Sequence, residues 1–417
     1  MPDSTELYAF RIKPLWKQFW QEGFAFWMIC GYLFFEYVRP HSIIPALNFL
    51  PWMSVLLGLS LIGILFEKNK KWVSDPASKW IVSFLLVIVA SIFGAYWPSI
   101  SKSYLEFIYT WIIIYFLIIN IVNTPQRFYI FLLIFCLASF KLSLHGAQVW
   151  TLRGFGFTKW GITGPPGFFR NSGELSIQML CFFPLGYYLY QELKNRVRTW
   201  EKVILVLFFV TPVMTILGAS SRGAQLALAI QCILMFYRKL FRMKVIIGIA
   251  ATAFLVITFL PEEQKVRFTE MGEDKTSQQR LLYWENGIEM IKNHPALGIG
   301  YFNFIPYYER YFHEDMLYPE AELPHNIFIQ IGTDAGLLGL SIYILLLLRF
   351  FQKPSYHHKI DDPVYRAASK GIALGMLGFV VAGQFVTVGY YPYMWIGLAL
   401  FVALQNAYKP KPNNEAF

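Results

Sequence analysis

One histidine and two arginines suggest chemistry in this sequence. His325 and Asn326 stand in the stretch ELPHNIFIQIGTDAGLLGL, residues 322–340, at the entrance to a long apolar run. A neutral imidazole can accept a proton near pH 7, so His325 is a candidate general base. The alternative is a structural histidine that starts a helix and hydrogen-bonds to nearby backbone. The residue types alone leave both roles open.

The two arginines are candidates for binding an anion. Arg222 follows two serines in LGASSRGAQLAL and opens an apolar helix. A helix start offers free N–H groups and the positive end of the dipole, and an arginine adds two parallel donors for phosphate oxygens. The alternative is an interfacial arginine that reaches lipid headgroups. Arg280 lies in TSQQRLLYWENGIEMIKN, where acidic residues outnumber basic ones over 261–323. An anion site in that region therefore depends on a few placed arginines.

Asp334 is a second ionisable residue in the same apolar run as His325. It lies nine residues further on, about 13 Å deeper along a helix, so the two side chains cannot meet on one helix. A carboxylate at that depth is costly unless it faces the protein interior. Gly336 and Gly339 are predicted to allow close helix packing. No chemical role is assigned to Asp334.

The elements that position these residues are predicted to be transmembrane helices. The 417 residues are 56% hydrophobic and only 15% charged, with mean hydropathy +0.43, which is typical of an all-α polytopic membrane protein. The net charge of +10 is attributed to basic cytoplasmic loops, not to nucleic-acid binding. Four cysteines are scattered through apolar segments without metal-ligand spacing.

Twelve spans are predicted from runs of about 20 apolar residues. They lie near 22–38, 44–66, 80–97, 104–122, 128–147, 174–191, 202–219, 222–237, 244–260, 325–349, 367–387 and 392–407. With the N-terminus inside, most of the 36 basic residues fall in inside connections, so both termini are predicted to be cytoplasmic. The chain then divides into an interfacial segment (1–21), nine spans (22–260), a large outward loop (261–324), three spans (325–407) and a tail (408–417).

The large outward loop is predicted to contain one helix at the membrane surface. Thr276 and Gln279 have capping-box spacing, and apolar residues recur at helical spacing after them. Pro295 and the glycines that follow end this helix. The loop carries no core-sized apolar pattern of its own, so it is not expected to form an independent domain.

The spacing around His325 resembles the signature of O-antigen ligases. That signature is a histidine, an Asn, Ser or Gln, nine residues, a glycine, two residues and a small residue, and His325, Asn326, Gly336 and Gly339 match it. SSRG before a span and IKNHPALGIGYFNF in the large loop also look like the O-antigen ligase and polymerase superfamily. The resemblance is strongest over about 200–345. It implies a bacterial inner-membrane glycosyltransferase of GT-C-like fold with a periplasmic active site.

The resemblance also implies substrates and residue roles. Such enzymes move a glycan from undecaprenyl pyrophosphate to a hydroxyl of lipid A core, with inversion and without a metal or cofactor. Arg222 and Arg280 then correspond to pyrophosphate-binding residues and His325 to the catalytic base. Further candidates at the outer face are Arg267, Arg170, Glu174 and Asn326. The implied partners are the lipid-linked donor, lipid A core or another glycan acceptor, and membrane lipids, with no nucleic acid.

Two other functions are compatible with a polytopic chain. An O-antigen or exopolysaccharide polymerase would join lipid-linked repeats on the same scaffold. A polysaccharide transporter or flippase would place charged or broken-helix sites near mid-membrane, often in repeated halves. The ionisable residues here concentrate instead at one outer face, which favours a glycan transferase.

Overall fold

The fold is helical throughout the part of the chain that the structure describes. The computed structural model describes Leu7 and residues 11–67, 72–156, 161–240 and 274–410. Every regular element in these ranges is a helix. The predicted all-α class and the polytopic character are thereby confirmed.

The described ranges contain fifteen α-helices. In chain order the α-helices of the described ranges are α1 (Ile12–Gln21), α2 (Phe24–Val38), α3 (Pro40–Ile43), α4 (Trp52–Leu65), α5 (Pro76–Phe93), α6 (Pro98–Ile121), α7 (Pro125–Leu152), α8 (Ser172–Leu193), α9 (Thr199–Gly218), α10 (Arg222–Leu240), α11 (Lys275–Asn293), α12 (Phe304–Tyr311), α13 (Ile327–Arg349), α14 (Pro363–Ala382) and α15 (Pro392–Ala407). Three-residue 3₁₀ turns lie at Pro45–Leu47, His313–Asp315 and His357–Lys359.

Six described helices are long and apolar enough to cross a membrane: α5, α6, α7, α9, α13 and α14. The shorter apolar helices α2 and α4 coincide with two further predicted spans. Helices α8, α10 and α15 coincide with three more. The predicted span near 244–260 lies outside the described residues, so the number twelve stays a prediction.

Three of these helices have a proline in the first turn and a capping side chain on the residue before it. Proline occupies the first turn of α5, α7 and α14, where its missing N–H costs nothing. The preceding residue accepts a hydrogen bond from a first-turn N–H in each case, namely Asp75, Thr124 and Asp362. The local sequence therefore sets where each span starts.

Close packing of α14 on α8 depends on glycines. A methyl group at Gly371 or Gly375 would lie 2.6 or 2.7 Å from the α8 backbone at Leu185 and Cys181. Small residues allow two helices to approach this closely in a membrane. Gln231 of α10 adds hydrogen bonds to carbonyls of both helices, at 3.0 and 2.9 Å. The helix that leads to residues 383–391 is thus firmly held.

A buried ion pair joins the end of α13 to the start of α5. Arg349 donates to both carboxylate oxygens of Asp75, at 3.1 and 2.7 Å, and its side chain is only 9% exposed. It also donates to Gln405 of α15. A bidentate pair fixes orientation as well as distance. The far end of α13 is therefore anchored on two other helices.

The loop before His325 has a small aromatic core, which the sequence pattern did not predict. Tyr283, Phe304 and Tyr308 pack together, with ring centroids 4.8 to 5.8 Å apart. Single-helix periodicity misses this cluster because its members come from α11, α12 and the segment that follows. The cluster holds α11 in a fixed place beside α13.

Helix α11 begins two residues earlier than the capping-box prediction, which was wrong. Asp274 is its N-cap and accepts from the Ser277 N–H at 3.0 Å. Gln279 instead accepts the Leu317 N–H at 2.5 Å, so it joins α11 to the loop. A carboxylate beside the positive end of a helix is a strong cap, which explains why it prevails over Thr276.

Candidate active site

His325 lies immediately before α13 in a left-handed backbone conformation, with φ of 50°. Its backbone N–H donates to the Thr387 hydroxyl at 2.8 Å, and its Nε2 lies 2.8 Å from Oε2 of Glu322. The imidazole is partly sheltered, with 24% of the side chain exposed. An imidazole in contact with a carboxylate at this distance is held in one orientation.

Asn326 acts as the N-cap of α13. Its Oδ1 accepts from the N–H groups of Phe328 and Ile329, at 2.9 and 3.2 Å, and its Nδ2 donates to Gln384 at 3.3 Å. These bonds use both ends of the amide. Asn326 thus starts the helix and fixes the residue before it, His325, against the 383–391 segment.

Arg280 lies in the second turn of α11 and faces a partly enclosed space. Its Nε is buried and has no hydrogen-bond partner within the described parts of the chain. Burial and the nearby charge of Arg222 lower the pKa of the Arg280 guanidinium, against the opposing charges of Glu322 and Asp274. An anion near both guanidiniums would offset their like charges and would offer an acceptor to the Nε that has none.

Arg222 is the first residue of α10, as the sequence predicted for a helix start. Its Nη2 lies 3.4 Å from Oδ2 of Asp274, the residue that caps α11. Although burial acts in the opposite direction, hydrogen bonds from Ser277 and Arg222 hold the pKa of the Asp274 carboxyl below its usual range. This ion pair brings the starts of α10 and α11 together.

Helix α11 also holds the irregular segment that leads to His325. The Tyr283 hydroxyl accepts the Glu322 N–H at 2.8 Å, and the Trp284 indole donates to the Pro324 carbonyl at 2.9 Å. The hydrogen bond from His325, against the opposing effect of burial, holds the pKa of Glu322 below its usual range, and the Arg280 charge acts in the same direction. Glu322 is therefore an ionised carboxylate between the histidine and the arginine.

The segment 383–391 forms the base on which these parts meet. Phe385 packs against Trp284 of α11, and a methyl at Gly223 of α10 would lie 2.6 Å from the Phe385 ring. The Ile327 N–H donates to the Gly383 carbonyl at 2.9 Å. One short segment therefore contacts α10, α11 and α13, and this contact brings Arg222, Arg280 and His325 to the same end of the bundle.

The other predicted candidates fall in different places. Arg170 and Glu174 line a separate cavity at the start of α8. Glu174 belongs to the cap of that helix, where its carboxylate accepts the Asn171 N–H at 3.0 Å. Arg267 lies outside the described residues.

Gly336 interrupts α13, with φ of 64° and ψ of −168°. A methyl there would lie 2.4 Å from the Ala296 carbonyl, because the loop after α11 enters the break. Within the break the Leu337 N–H donates to the Pro295 carbonyl at 2.8 Å, and the Thr333 carbonyl accepts the Ile299 N–H at 2.8 Å. Gly336 therefore receives a loop, where close packing of a whole helix was predicted.

Asp334 holds the same loop. It is 2% exposed, and its Oδ1 accepts the N–H of Phe302, a residue with φ of 57°. The carboxylate faces the protein interior, as the membrane argument requires. Its observed contact is structural: it fixes a strained turn of the loop against α13.

Sequence reasoning missed Glu322 and Thr387 as parts of the site. Glu322 stands three residues before His325, with Pro324 between them. The chain turns there, so that the two side chains come into contact. Thr387 lies 62 residues after His325, and no local pattern could connect them. Only the packing of 383–391 under α13 shows that contact.

Residues 207–344 match the family model described as O-antigen ligase. This range contains Arg222, Arg280, His325 and both signature glycines. No curated protein matches the chain. The match confirms the resemblance read from the sequence and supports a glycan-transferring enzyme of the ligase or polymerase type in a membrane.

Proposed function

We propose that this chain, which matches the O-antigen ligase family model over residues 207–344, transfers a glycan from undecaprenyl pyrophosphate to a hydroxyl of lipid A core. The transfer would take place at the periplasmic face of the inner membrane, with both termini in the cytoplasm. One observation supports it above the rest: Arg222, Arg280 and His325 meet at one end of the bundle, around an ionised Glu322.

In this proposal the arginines hold the leaving group. As the bond between the anomeric carbon and the pyrophosphate oxygen breaks, negative charge grows on that oxygen. Arg280 has a buried Nε without a partner in the described chain, and Arg222 adds a helix start. Placed donors that meet charge where it develops are worth more in a sheltered site than in water.

His325 activates the acceptor. With Nε2 protonated and donating to Glu322, Nδ1 keeps the lone pair that takes the acceptor hydroxyl proton. The acceptor oxygen forms the new bond to the anomeric carbon from the face opposite the pyrophosphate, which inverts that centre. The Glu322 carboxylate stabilises the imidazolium that forms. The products are the extended glycan, free lipid pyrophosphate and one proton on His325.

The first test replaces the base. His325→Ala should abolish transfer of glycan to lipid A core while the purified protein stays folded. His313→Ala is the matched control, since His313 is an exposed histidine of the same loop outside the site. Activity near that of the unchanged chain in the His325 variant would overturn the general-base role.

The second test concerns the donor. Arg222→Lys and Arg280→Lys should each weaken binding of the lipid pyrophosphate about tenfold, because a lysine ammonium lacks the two parallel donors of arginine. Arg310→Lys, at an exposed arginine of α12, should leave binding unchanged. Unaltered donor binding in both site variants would place the pyrophosphate elsewhere.

The acceptor decides between ligase and polymerase. The protein in liposomes, given lipid-linked glycan and lipid A core, should yield glycosylated core. Lengthened lipid-linked glycan with the core untouched would instead identify a polymerase. If the protein is intact and neither product forms, the result would count against a transferase.

A further inference from the structure

A second cavity adjoins the candidate active site at the start of α8. Its volume is about 680 Å³. Apart from Gly167, every residue that lines it has a polar side chain: Thr163, Arg170, Asn171, Ser172, Glu174 and Tyr391. These groups supply hydroxyls, an amide, a carboxylate, a guanidinium and one aromatic ring. A lining that mixes donors, acceptors and an aromatic face suits a ligand rich in hydroxyl groups more than a fatty chain or a simple anion.

One wall of this cavity is fixed by hydrogen bonds. Glu174 accepts the Asn171 N–H at 3.0 Å and also interacts with the Tyr391 hydroxyl. The Tyr393 hydroxyl donates to the Glu174 carbonyl at 2.9 Å. Burial, with the Glu174 charge, raises the pKa of the Tyr391 phenol, which therefore stays a neutral donor. These groups are held in place before any ligand enters.

The opposite wall is open to a ligand. Thr163 and Arg170 are exposed at its edge. Within the described ranges, Arg170 forms no ion pair. The loop that carries both is itself anchored, since Gly167, with φ of 99°, lies directly on the Arg39 guanidinium. A methyl at Gly167 would lie 2.0 Å from that group. The cavity thus has a firm base and free polar groups at its mouth.

The cavity lies close to the catalytic residues. Tyr391 is four residues after Thr387, which accepts the His325 N–H, and four residues span at most about 14 Å. At the other side, a methyl at Gly173 would lie 3.1 Å from Val386 and 3.9 Å from the Ser221 hydroxyl. The cavity therefore lies beside the start of α10, and the segment that supplies Tyr391 to its lining also holds the His325 backbone.

We infer that this cavity binds a sugar ring of the acceptor glycan and so presents the acceptor hydroxyl to His325. The inference rests on the proposed function. Arg222 and Arg280 form the donor side in the proposed function, and neither of them lines this cavity. A polar cavity beside the site without those two arginines is therefore assigned to the acceptor sugar.

The test uses the full-length protein in liposomes with lipid-linked glycan as donor and lipid A core as acceptor. The variants are Arg170→Gln and Thr163→Val, at exposed edge positions where folding tolerates change. Each should raise the acceptor KM, by about tenfold for Arg170→Gln because it removes a charged donor. The donor KM and the kcat at saturating acceptor should stay within about twofold. Lys102→Gln, at an exposed cation outside the cavity, should change none of these values.

Two results would overturn the inference. An unchanged acceptor KM in both variants would mean that the cavity does not hold the acceptor. A raised donor KM with an unchanged acceptor KM would assign the cavity to a sugar of the donor.

Failure of the proposed function can be recognised separately. If the unchanged protein transfers no glycan, binding of delipidated core oligosaccharide is measured directly by saturation-transfer NMR. Signals that are present in the unchanged protein and lost in a chain with both substitutions would support the cavity as a sugar site. Absent signals, or signals that survive both substitutions, would reject it.

Discussion

Replacing Glu322 by glutamine tests how the histidine is supported. The substitution keeps the size and one hydrogen-bonding oxygen of the side chain but removes its charge. The imidazolium that forms during transfer then loses its nearest counter-charge, which lies 2.8 Å away in the structure. We expect kcat to fall while the acceptor KM stays the same, because the interaction matters only once His325 has gained a proton.

The size of the effect follows from exposure. A charged hydrogen bond is worth roughly 1.5–3 kcal/mol when sheltered. The Glu322 side chain is 72% exposed, so solvent screening reduces its value to about 1 kcal/mol. That amount corresponds to about a fivefold loss of kcat. Removing a carboxylate that is fully buried beside its histidine would lower kcat far more.

The assay is steady-state transfer to lipid A core by protein in liposomes. Glu320→Gln is the control, because it removes an exposed carboxylate from the same segment without touching His325. An unchanged kcat in the Glu322 variant would refute the role of Glu322 as counter-charge to the imidazolium. A loss above about hundredfold would refute the screening argument and show that the carboxylate is sheltered when substrates are bound.

Three further results are expected. Thr387→Val leaves the His325 N–H without an acceptor in a left-handed backbone, so kcat should fall about tenfold and Thr387→Ser should restore it, as measured by the same assay. Gly336→Ala should lower the free energy of unfolding in detergent by about 1–3 kcal/mol, because residue 336 has a positive φ and the added methyl would contact the Ala296 backbone. Gly58→Ala should not lower it, because a methyl at Gly58 would have no atom within 4 Å. The lowered pKa of Asp274 means that its contribution is complete at neutral pH and lost as pH falls below about 4; Asp274→Asn should remove that pH dependence from the unfolding curve.

Much of the helical frame could be predicted from composition and local signals. Apolar runs gave the described spans to within a few residues at most ends, because a membrane requires helices of set length. The start of α11 was placed wrongly, since two capping candidates stood two residues apart and only their contacts decide between them. The aromatic cluster of the loop was missed because it joins residues from separate elements.

The candidate site was predictable only in part. The residue types and positions of His325, Arg222 and Arg280 indicated a general base and two anion-binding side chains. The resemblance to the O-antigen ligase superfamily placed the three in one site. Their geometry depends on segments that no local rule identifies. Phe385 and Thr387 bring three helices together through contacts between residues far apart in the chain. Asp334 had been assigned no chemical role from the sequence, and the contact that the structure shows, a hydrogen bond from the Phe302 N–H, is structural.

The spacing of the signature has a physical reason in this fold. His325 stands before the first turn of α13, and Gly336 interrupts that helix eleven residues later, about 16 Å along its axis. The break receives the loop that follows α11, the helix that carries Arg280. A one-residue change in the spacing would turn the break by about 100° and move it about 1.5 Å relative to the histidine. The loop would then no longer fit the break, and α11, which carries Arg280, would lose that contact with α13. The spacing between histidine and glycine thus links the position of the proposed base to that of the arginine proposed to bind phosphate.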